Sequence, residues 1–385
     1  MVLGTYEGVY IVGAGQTLYE KRTTKTVQHL IWEASDLALR SAGLAFEDAD
    51  GLGITSFVLP PDNVTTMTEH MGLECRWLFQ GLYGGASGII GMLHAARAIQ
   101  AGDADVVIIV AADVFDVESH MGLLLNSTQR DWLDPWGYGA PNGVFALHTR
   151  LYMETYGISR EDFGRLCIAQ RHNALLNPNA LFKTPLTMEE YLAARPIAEP
   201  VHLLDCVHPC SGGEAIVLAS AAVAERTSGP RVRLLGGGEA HNQPANDVYA
   251  LSAGWERFRE RMFAQAGCEP GDLDFVELYD DYPVMAYIQL EGLGLAERGH
   301  AAHLIRDNDC TVTGTLPINT GGGQLSAGQC GASGGTLGLY EAVVQLRGEA
   351  GTRQVKGCRR GAVTGYGMVS YGRGLSATAC ILGTD

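Results

Sequence analysis

One tetrapeptide occurs twice in this chain. Gly85-Ala86-Ser87-Gly88 returns as Gly331-Ala332-Ser333-Gly334, and each copy opens a helical pattern that ends at a glycine, Gly102 and Gly348. Two further correspondences keep the same order. Arg233 to Gly238 (RLLGGG) echoes Tyr10 to Gly15 (YIVGAG), and Ala266 to Asp274 (AGCEPGDLD) echoes Ala42 to Asp50 (AGLAFEDAD). One short string recurs by chance, but three in a single order point to a duplicated chain. That restricts the fold to two similar halves. The halves are expected at 1–225 and 226–385. A stretch of about 113–205 interrupts the first half before the strand-like Ala215 to Ala219. An insertion of that length in a compact fold is usually a cap or a binding loop.

Strand-like and helix-like segments alternate within each half. Val9 to Gly13 is a short apolar run, Thr26 to Ala42 has helical spacing stopped by Gly43, and Gly51 to Ile54 is strand-like. Ser87 to Gln100 reads as a helix, and Asp105 to Ala111 is a strand apolar on both faces. This is the pattern of an α/β protein with buried parallel strands. Of 385 residues 50 are glycine, about twice the usual share. No Gly-X-Y period accompanies them. With 46% hydrophobic and 18% charged residues, the chain has the balance of a packed globule rather than a disordered one.

Charge and cysteine usage exclude several function classes. The formal net charge is −16 and no Lys/Arg block exists, which disfavours a nucleic-acid partner. The apolar runs fall short of the ~20 residues a membrane span needs. The N-terminus shows neither a basic stretch nor a long apolar one, so no secretory signal is expected. Nine cysteines without a CxxC pair read as reduced thiols and a cytoplasmic location.

Several motifs suggest chemistry and fail on inspection. Gly13-Ala14-Gly15 begins a dinucleotide fingerprint, but position 18 is Leu. Gly331-Ala332-Ser333-Gly334-Gly335 fits a hydrolase nucleophile elbow, yet the last histidine is His303, upstream of that serine. His202, Cys206, His208 and Cys210 are dense, but their alternate spacing in a Pro-containing segment suits zinc poorly, and no metal is expected. Two segments remain. Val276-Glu277-Leu278-Tyr279-Asp280-Asp281-Tyr282 sets polar groups where a strand ends and a helix begins, a good place for a site, although an Asp there also caps a helix. Asn319 to Gly331 is rich in glycine and runs into a helix start, where backbone N–H groups can cradle an anion or oxyanion.

With these residues in view, the chain resembles the thiolase superfamily over essentially its whole length. The resemblance is carried by Gly84 to Asp113, Val276 to Gly294 and Pro317 to Gly348. Within that superfamily the chain is similar to the sterol-carrier and lipid-transfer type of thiolase-like proteins, which include side-chain-cleaving aldolases of steroid degradation. The resemblance implies a five-layer αβαβα duplicated fold with a loop domain, and a homodimer. The family's catalytic residues do not carry over. Gly85 stands where thiolases have the nucleophilic Cys, and Gln329-Cys330 where they have His-Pro. Gly365-Tyr366-Gly367-Met368 occupies the segment of the second Cys, and Tyr279 the strand-end Asn or His.

Loss of the thiolate with the oxyanion scaffold retained implies retro-aldol cleavage of a β-hydroxyacyl-CoA rather than thiolysis. Tyr279 then handles the hydroxyl, with Asp280, Asp281 or Tyr366 taking its proton. Gln329 stands where those aldolases have a second Tyr. Backbone N–H groups of Gly85 and Gly367 would hold the thioester oxygen, with Gly328 and Ser211 as further oxyanion or CoA contacts. His148 is a candidate for the pocket wall. Trp132, Trp136, Tyr138 and Phe145 could meet a bulky apolar acyl group. Two alternatives stay open: an acyltransferase whose nucleophile has moved to Cys330, and a non-catalytic acyl-CoA-binding subunit. No cofactor is expected beyond the CoA carried by the substrate. Relatives of this type imply a small partner with a zinc ribbon and an OB-fold.

Overall fold

The computed structural model describes residues 4–115, 131, 134–137, 141–245, 247, 251–370 and 373–384. Trp132 and Tyr138 lie outside the described residues. Nine strands join in one sheet: β1 (Val9–Gln16), β2 (Gly51–Thr55), β3 (Trp77–Gln80), β4 (Val106–Asp113), β7 (Gly212–Ser220), β8 (Val232–His241), β9 (Phe275–Glu277), β10 (Arg360–Ser370) and β11 (Arg373–Gly383). The small strands β5 (Pro196–Ala198) and β6 (Val201–His202) pair separately.

The sheet order is β3-β2-β4-β7-β1-β8-β11-β10-β9. Read outward from the β1/β8 seam, both sides follow one plan: first strand, last, last but one, second. The two echoing glycine strands are the seam itself, paired antiparallel at Tyr10↔Arg233 and Ile11↔Val232. Where β3 sits on the first side, the second has only an isolated parallel bridge, Val276↔Ile318.

The expectation of parallel strands needs correction. β2–β3, β2–β4 and β9–β10 are parallel, but β7 runs antiparallel to β1 and β4, and β11 runs antiparallel to β8 and β10. The cause is connectivity. A parallel neighbour requires a crossover of a dozen or more residues, and β10 passes into β11 without one. β7 re-enters the sheet at the end where β4 leaves it, Gly212 beside Asp113, so it runs back along β4.

Helices complete the layers. The Val27–Ser41 helix starts at Thr26, whose hydroxyl accepts from the His29 N–H, and its Leu30, Ile31, Ala34 and Ala38 pack on Val12, Ile108 and Val217 of one sheet face. The Ser87–Ala101 and Gly334–Leu346 helices share a core with strands of both halves, through Ile89, Met92, Leu339 and Val343 against Ile109, Ile216, Val363 and Cys380. On the far side, the Arg259–Ala266 and Pro283–Leu293 helices meet the helices Asn142–Tyr156 and Arg160–Leu175 in a third core. The architecture is αβαβα. Among the described residues no helix is long and apolar enough to cross a membrane.

The two repeats sit at the centre, and the first tetrapeptide touches Gly335, the glycine that follows the second. A Cβ on Gly88 would stand 2.6 Å from the Gly335 carbonyl oxygen, and one on Gly335 would stand 2.5 Å from that of Gly85. Only hydrogen fits between these two helix starts.

Candidate active site

The site forms where β9 runs out. Leu278 N–H donates to Asn319 Oδ1 at 2.6 Å, and the chain then leaves the ladder. Tyr279 N–H reaches Gln289 Oε1 at 3.1 Å and Thr364 Oγ1 at 3.2 Å, while its carbonyl accepts from Gln289 Nε2 at 2.6 Å. Side chains thus replace the strand partner that backbone groups require.

This aims the Tyr279 ring at the first tetrapeptide. A Cβ on Gly85 would overlap Cε2 and Cζ of Tyr279 and stand 2.5 Å from Cδ2. Position 85 lies in the turn Gly84–Ala86 that leads into the Ser87–Ala101 helix. Gly367 of β10 lies beside it, since a Cβ there would stand 2.9 Å from Gly85 N. The next residue, Met368, holds a left-handed backbone at φ 57° with a side chain 41% exposed. For a non-glycine residue that conformation costs of order 1 kcal/mol or more and clusters at functional sites.

Electrostatics around Tyr279 is dominated by burial. Burial pushes the Tyr279 phenol well above the ordinary tyrosine range, Asp281 and Asp280 push it further, and a hydrogen bond with Gln329 opposes them. The phenol is therefore neutral at pH 7. Asp281 is buried, and its Oδ1 has no hydrogen-bond partner among the described residues. Burial, then the neighbouring Asp280, raise its carboxyl well above the usual range. Beyond it, the Tyr282 hydroxyl donates to Asn142 Oδ1 at 2.6 Å, and its ring stacks on Phe145 at 4.1 Å between centroids.

Several expected site residues have other duties. Asp280 accepts from Gln324 N at 2.9 Å, Leu325 N at 3.3 Å and Gln170 Nε2 at 3.0 Å, with burial raising it to about 7. The glycine-rich loop does cradle an anion, and the anion is the chain's own. At the loop's end Ala332 N–H likewise donates to Asp113 at 2.7 Å. Gly328 donates its N–H to Gln324 O at 3.3 Å, and Ser211 exchanges hydrogen bonds with the Phe115 backbone at 3.1 Å, so neither is placed to hold a thioester. Tyr366 accepts from Gly374 N–H and stacks on Trp255.

The nucleophile reading of Cys330 is overturned by its surroundings. Its sulfur is fully buried, 3.1 Å from Cys210 Sγ. Burial pushes the thiol well above the ordinary range, and Cys210 adds to that. A thiolate nucleophile needs the opposite setting. Gln329 hydrogen-bonds Gln324 Oε1 through Nε2 at 2.9 Å and is the member of this loop that reaches Tyr279. His148 is buried in the Asn142–Tyr156 helix, Phe145 is core and Trp136 is 83% exposed.

The four residues of the zinc-like cluster disperse. His202 Nδ1 meets Ala194 O at 2.6 Å, Cys206 lies near Asn142 Oδ1 at 3.7 Å, His208 packs edge-on against Phe182, and Cys210 faces Cys330.

Gln289, Thr364 and Asn142 escaped the sequence reading. One signal was available for the first. Gln289 and Glu291 are the only polar side chains after Tyr287 in the otherwise apolar Pro283–Leu293 helix, and Gln289 is fully buried.

Comparison with known proteins agrees with this geometry. The thiolase C-terminal domain-like family matches residues 236–384. Across 97% of both chains the protein is 32% identical to a steroid side-chain-cleaving aldolase of Thermomonospora curvata. It is 33% identical to a 17-hydroxy-3-oxo-4-pregnene-20-carboxyl-CoA lyase of Mycobacterium tuberculosis, over 97% of this chain and 98% of the relative. A solved Ltp2-ChsH2(DUF35) aldolase superposes with a TM-score of 0.86 at 30% identity, covering 100% of this chain and 99% of that one. On full-length likeness of this kind, the protein belongs to the thiolase-like superfamily and groups with its steroid side-chain-cleaving aldolases.

Proposed function

We propose that the protein cleaves a carbon–carbon bond of a β-hydroxyacyl-CoA by retro-aldol chemistry. It is a CoA-thioester lyase, not a thiolase. One observation carries this reading: the Tyr279 ring fills the space a side chain at position 85 would need. A phenol stands where a thiolate would attack, so the covalent acyl-enzyme route has no nucleophile.

In the proposed reaction the substrate's β-hydroxyl gives up its proton, and the Cα–Cβ bond breaks. The hydroxyl carbon becomes a carbonyl, and the bonding pair becomes the thioester enolate, which is then protonated at Cα. Tyr279 contacts the hydroxyl and passes its proton toward Asp281, whose Oδ1 has no hydrogen-bond partner among the described residues. Backbone N–H groups at Gly85 and Gly367 face the thioester oxygen, the position at which charge develops. Following the names of the two relatives, the acyl group is a steroid-like side chain.

The test is direct. Supplied with a 17-hydroxy steroid side-chain CoA ester, the protein should release a ketone and a shorter acyl-CoA, detected by mass spectrometry. Tyr279→Phe should lower kcat by about 100-fold or more, the usual weight of acid–base catalysis. A Tyr279→Phe enzyme of normal rate rules out the role given to that phenol. Failure to cleave any β-hydroxyacyl-CoA, with or without a partner protein, rules out the function.

The solved relative's name pairs two proteins. We extend this: the chain forms a homodimer that binds a small zinc-ribbon and OB-fold protein. Light scattering of the protein purified from its native lysate should give a mass above two copies of 41.1 kDa. A lone 41.1 kDa species would contradict both contacts.

A further inference from the structure

Catalytic phenols need support, and the support of Tyr279 is unusual in kind. Its N–H and C=O both end on one side-chain amide, that of Gln289, in the Pro283–Leu293 helix. The same Nε2 also donates to Met285 O at 2.8 Å, and the same Oε1 accepts from Thr364 Oγ1. Thr364 lies on β10, three residues before Gly367, and its hydroxyl oxygen accepts the Tyr279 N–H as well. One amide therefore links the Tyr279 backbone, the first turn of a helix and the strand that carries Gly367. Gln289 is fully buried and Thr364 nearly so.

We propose that Gln289 is a positioning residue for catalysis, fixing the backbone of Tyr279 so that its phenol stays over Gly85, with Thr364 as the hydroxyl that couples this clamp to the Gly367 strand. Gln289 does not touch the substrate. It acts through Tyr279, and in that respect the proposal rests on the role given to Tyr279 above. The physical case is that the segment after β9 has lost its ladder. Without the amide, the buried Tyr279 carbonyl would lose its side-chain donor and the N–H would be left with Thr364 alone, and the segment would relax to find other partners. A displacement of about 1 Å at a reacting group costs of order 100-fold in rate, whereas ground-state binding of a large CoA ester barely depends on it. The signature is a fall in kcat with little change in KM.

Gln289→Leu keeps the volume and removes the amide. The expected result is a kcat lower by about 10- to 100-fold with KM within about threefold. Amide hydrogen exchange across 278–282 should become at least about tenfold faster. Adding Gln289→Leu to Tyr279→Phe should cost almost nothing further, because both act on one group. Gln289→Glu gives a pH readout that a merely structural role would not produce. A protonated Glu can accept the Tyr279 N–H and donate its single O–H to the Tyr279 carbonyl, giving up only the Met285 bond, whereas an ionised one cannot donate at all. Burial raises that carboxyl, so kcat of this variant should be near normal in acid. It should fall as pH rises through a titration the parent lacks.

Wild-type kcat with slow exchange in Gln289→Leu overturns the proposal. Where that variant does not fold, a pH-independent, wild-type kcat in Gln289→Glu overturns it. If Tyr279→Phe alone proves normal, the role of Tyr279 falls. Faster exchange in Gln289→Leu would still support the clamp on its backbone, so the two failures are separable.

Discussion

The hydrogen of Gly85 faces a phenol ring, and no room is left between them for a side chain. A methyl group at this position would overlap Tyr279 Cε2 and Cζ and force the ring aside. Gly85→Ala should therefore lower kcat by about 100-fold, because it moves the reacting group, while costing only about 1–3 kcal/mol of stability. Steady-state kinetics beside a denaturant melt checks this, and a Gly85→Ala enzyme of normal kcat would mean the ring is not where it acts. Tyr279 stood out in the sequence because a strand end that leads into a helix is a good place for polar groups. Cys330 was misread for a physical reason. Its neighbours in sequence suggest a helix start that lowers a thiol pKa, but Cys210, 120 positions away, shares its buried pocket and reverses the effect. Gln289 gave a weak signal, since a buried amide inside an apolar helix announces a partner without naming it.

At the scale of elements, the strands and helices were readable where periodicity and caps agree. The helix over Val27–Ser41 and the helix over Ser87–Ala101 fall within a residue or so of the expected bounds, since Thr26 caps the first and Gly102, at φ 83°, ends the second. Strand direction was not readable. A strand buried on both faces is apolar throughout in either orientation, so the composition of β7 and β11 carries no sign of their antiparallel course. The glycine-rich loop was legible as an anion cradle, but its occupant was not. Gln324 and Leu325 point their N–H groups at Asp280, which lies 44 positions away from the first of them. Local sequence shows that a loop can donate, and only packing shows to what.

At the scale of the whole molecule, three of the buried carboxyls, those of Asp113, Glu214 and Asp280, are raised by burial to about 7. Glu214 takes hydrogen bonds from the Tyr19 and Ser333 hydroxyls and, at 3.1 Å, from Gln16 Nε2. A carboxyl whose folded pKa is raised favours the folded state in its protonated form. Its contribution is complete below the unfolded value of about 4.3 and is lost as pH rises through about 7. Glu214→Gln keeps the shape, and its amide can satisfy the same hydroxyls. Relative to the parent, the variant should gain up to about 3 kcal/mol between pH 4 and pH 8. Urea melts at both pH values would measure the difference, and a parent–variant gap that does not change with pH would refute it.

The touching helix starts have a consequence for how such a chain can change over time. Gly88 lies against the carbonyl of Gly335, and Gly335 against that of Gly85. The two halves, once copies, now share a single seat, so neither is at liberty to drift there alone. A side chain admitted on one side must be answered by retreat on the other. A side chain at position 85 would have to evict the Tyr279 ring and reopen the centre of the molecule in the same move.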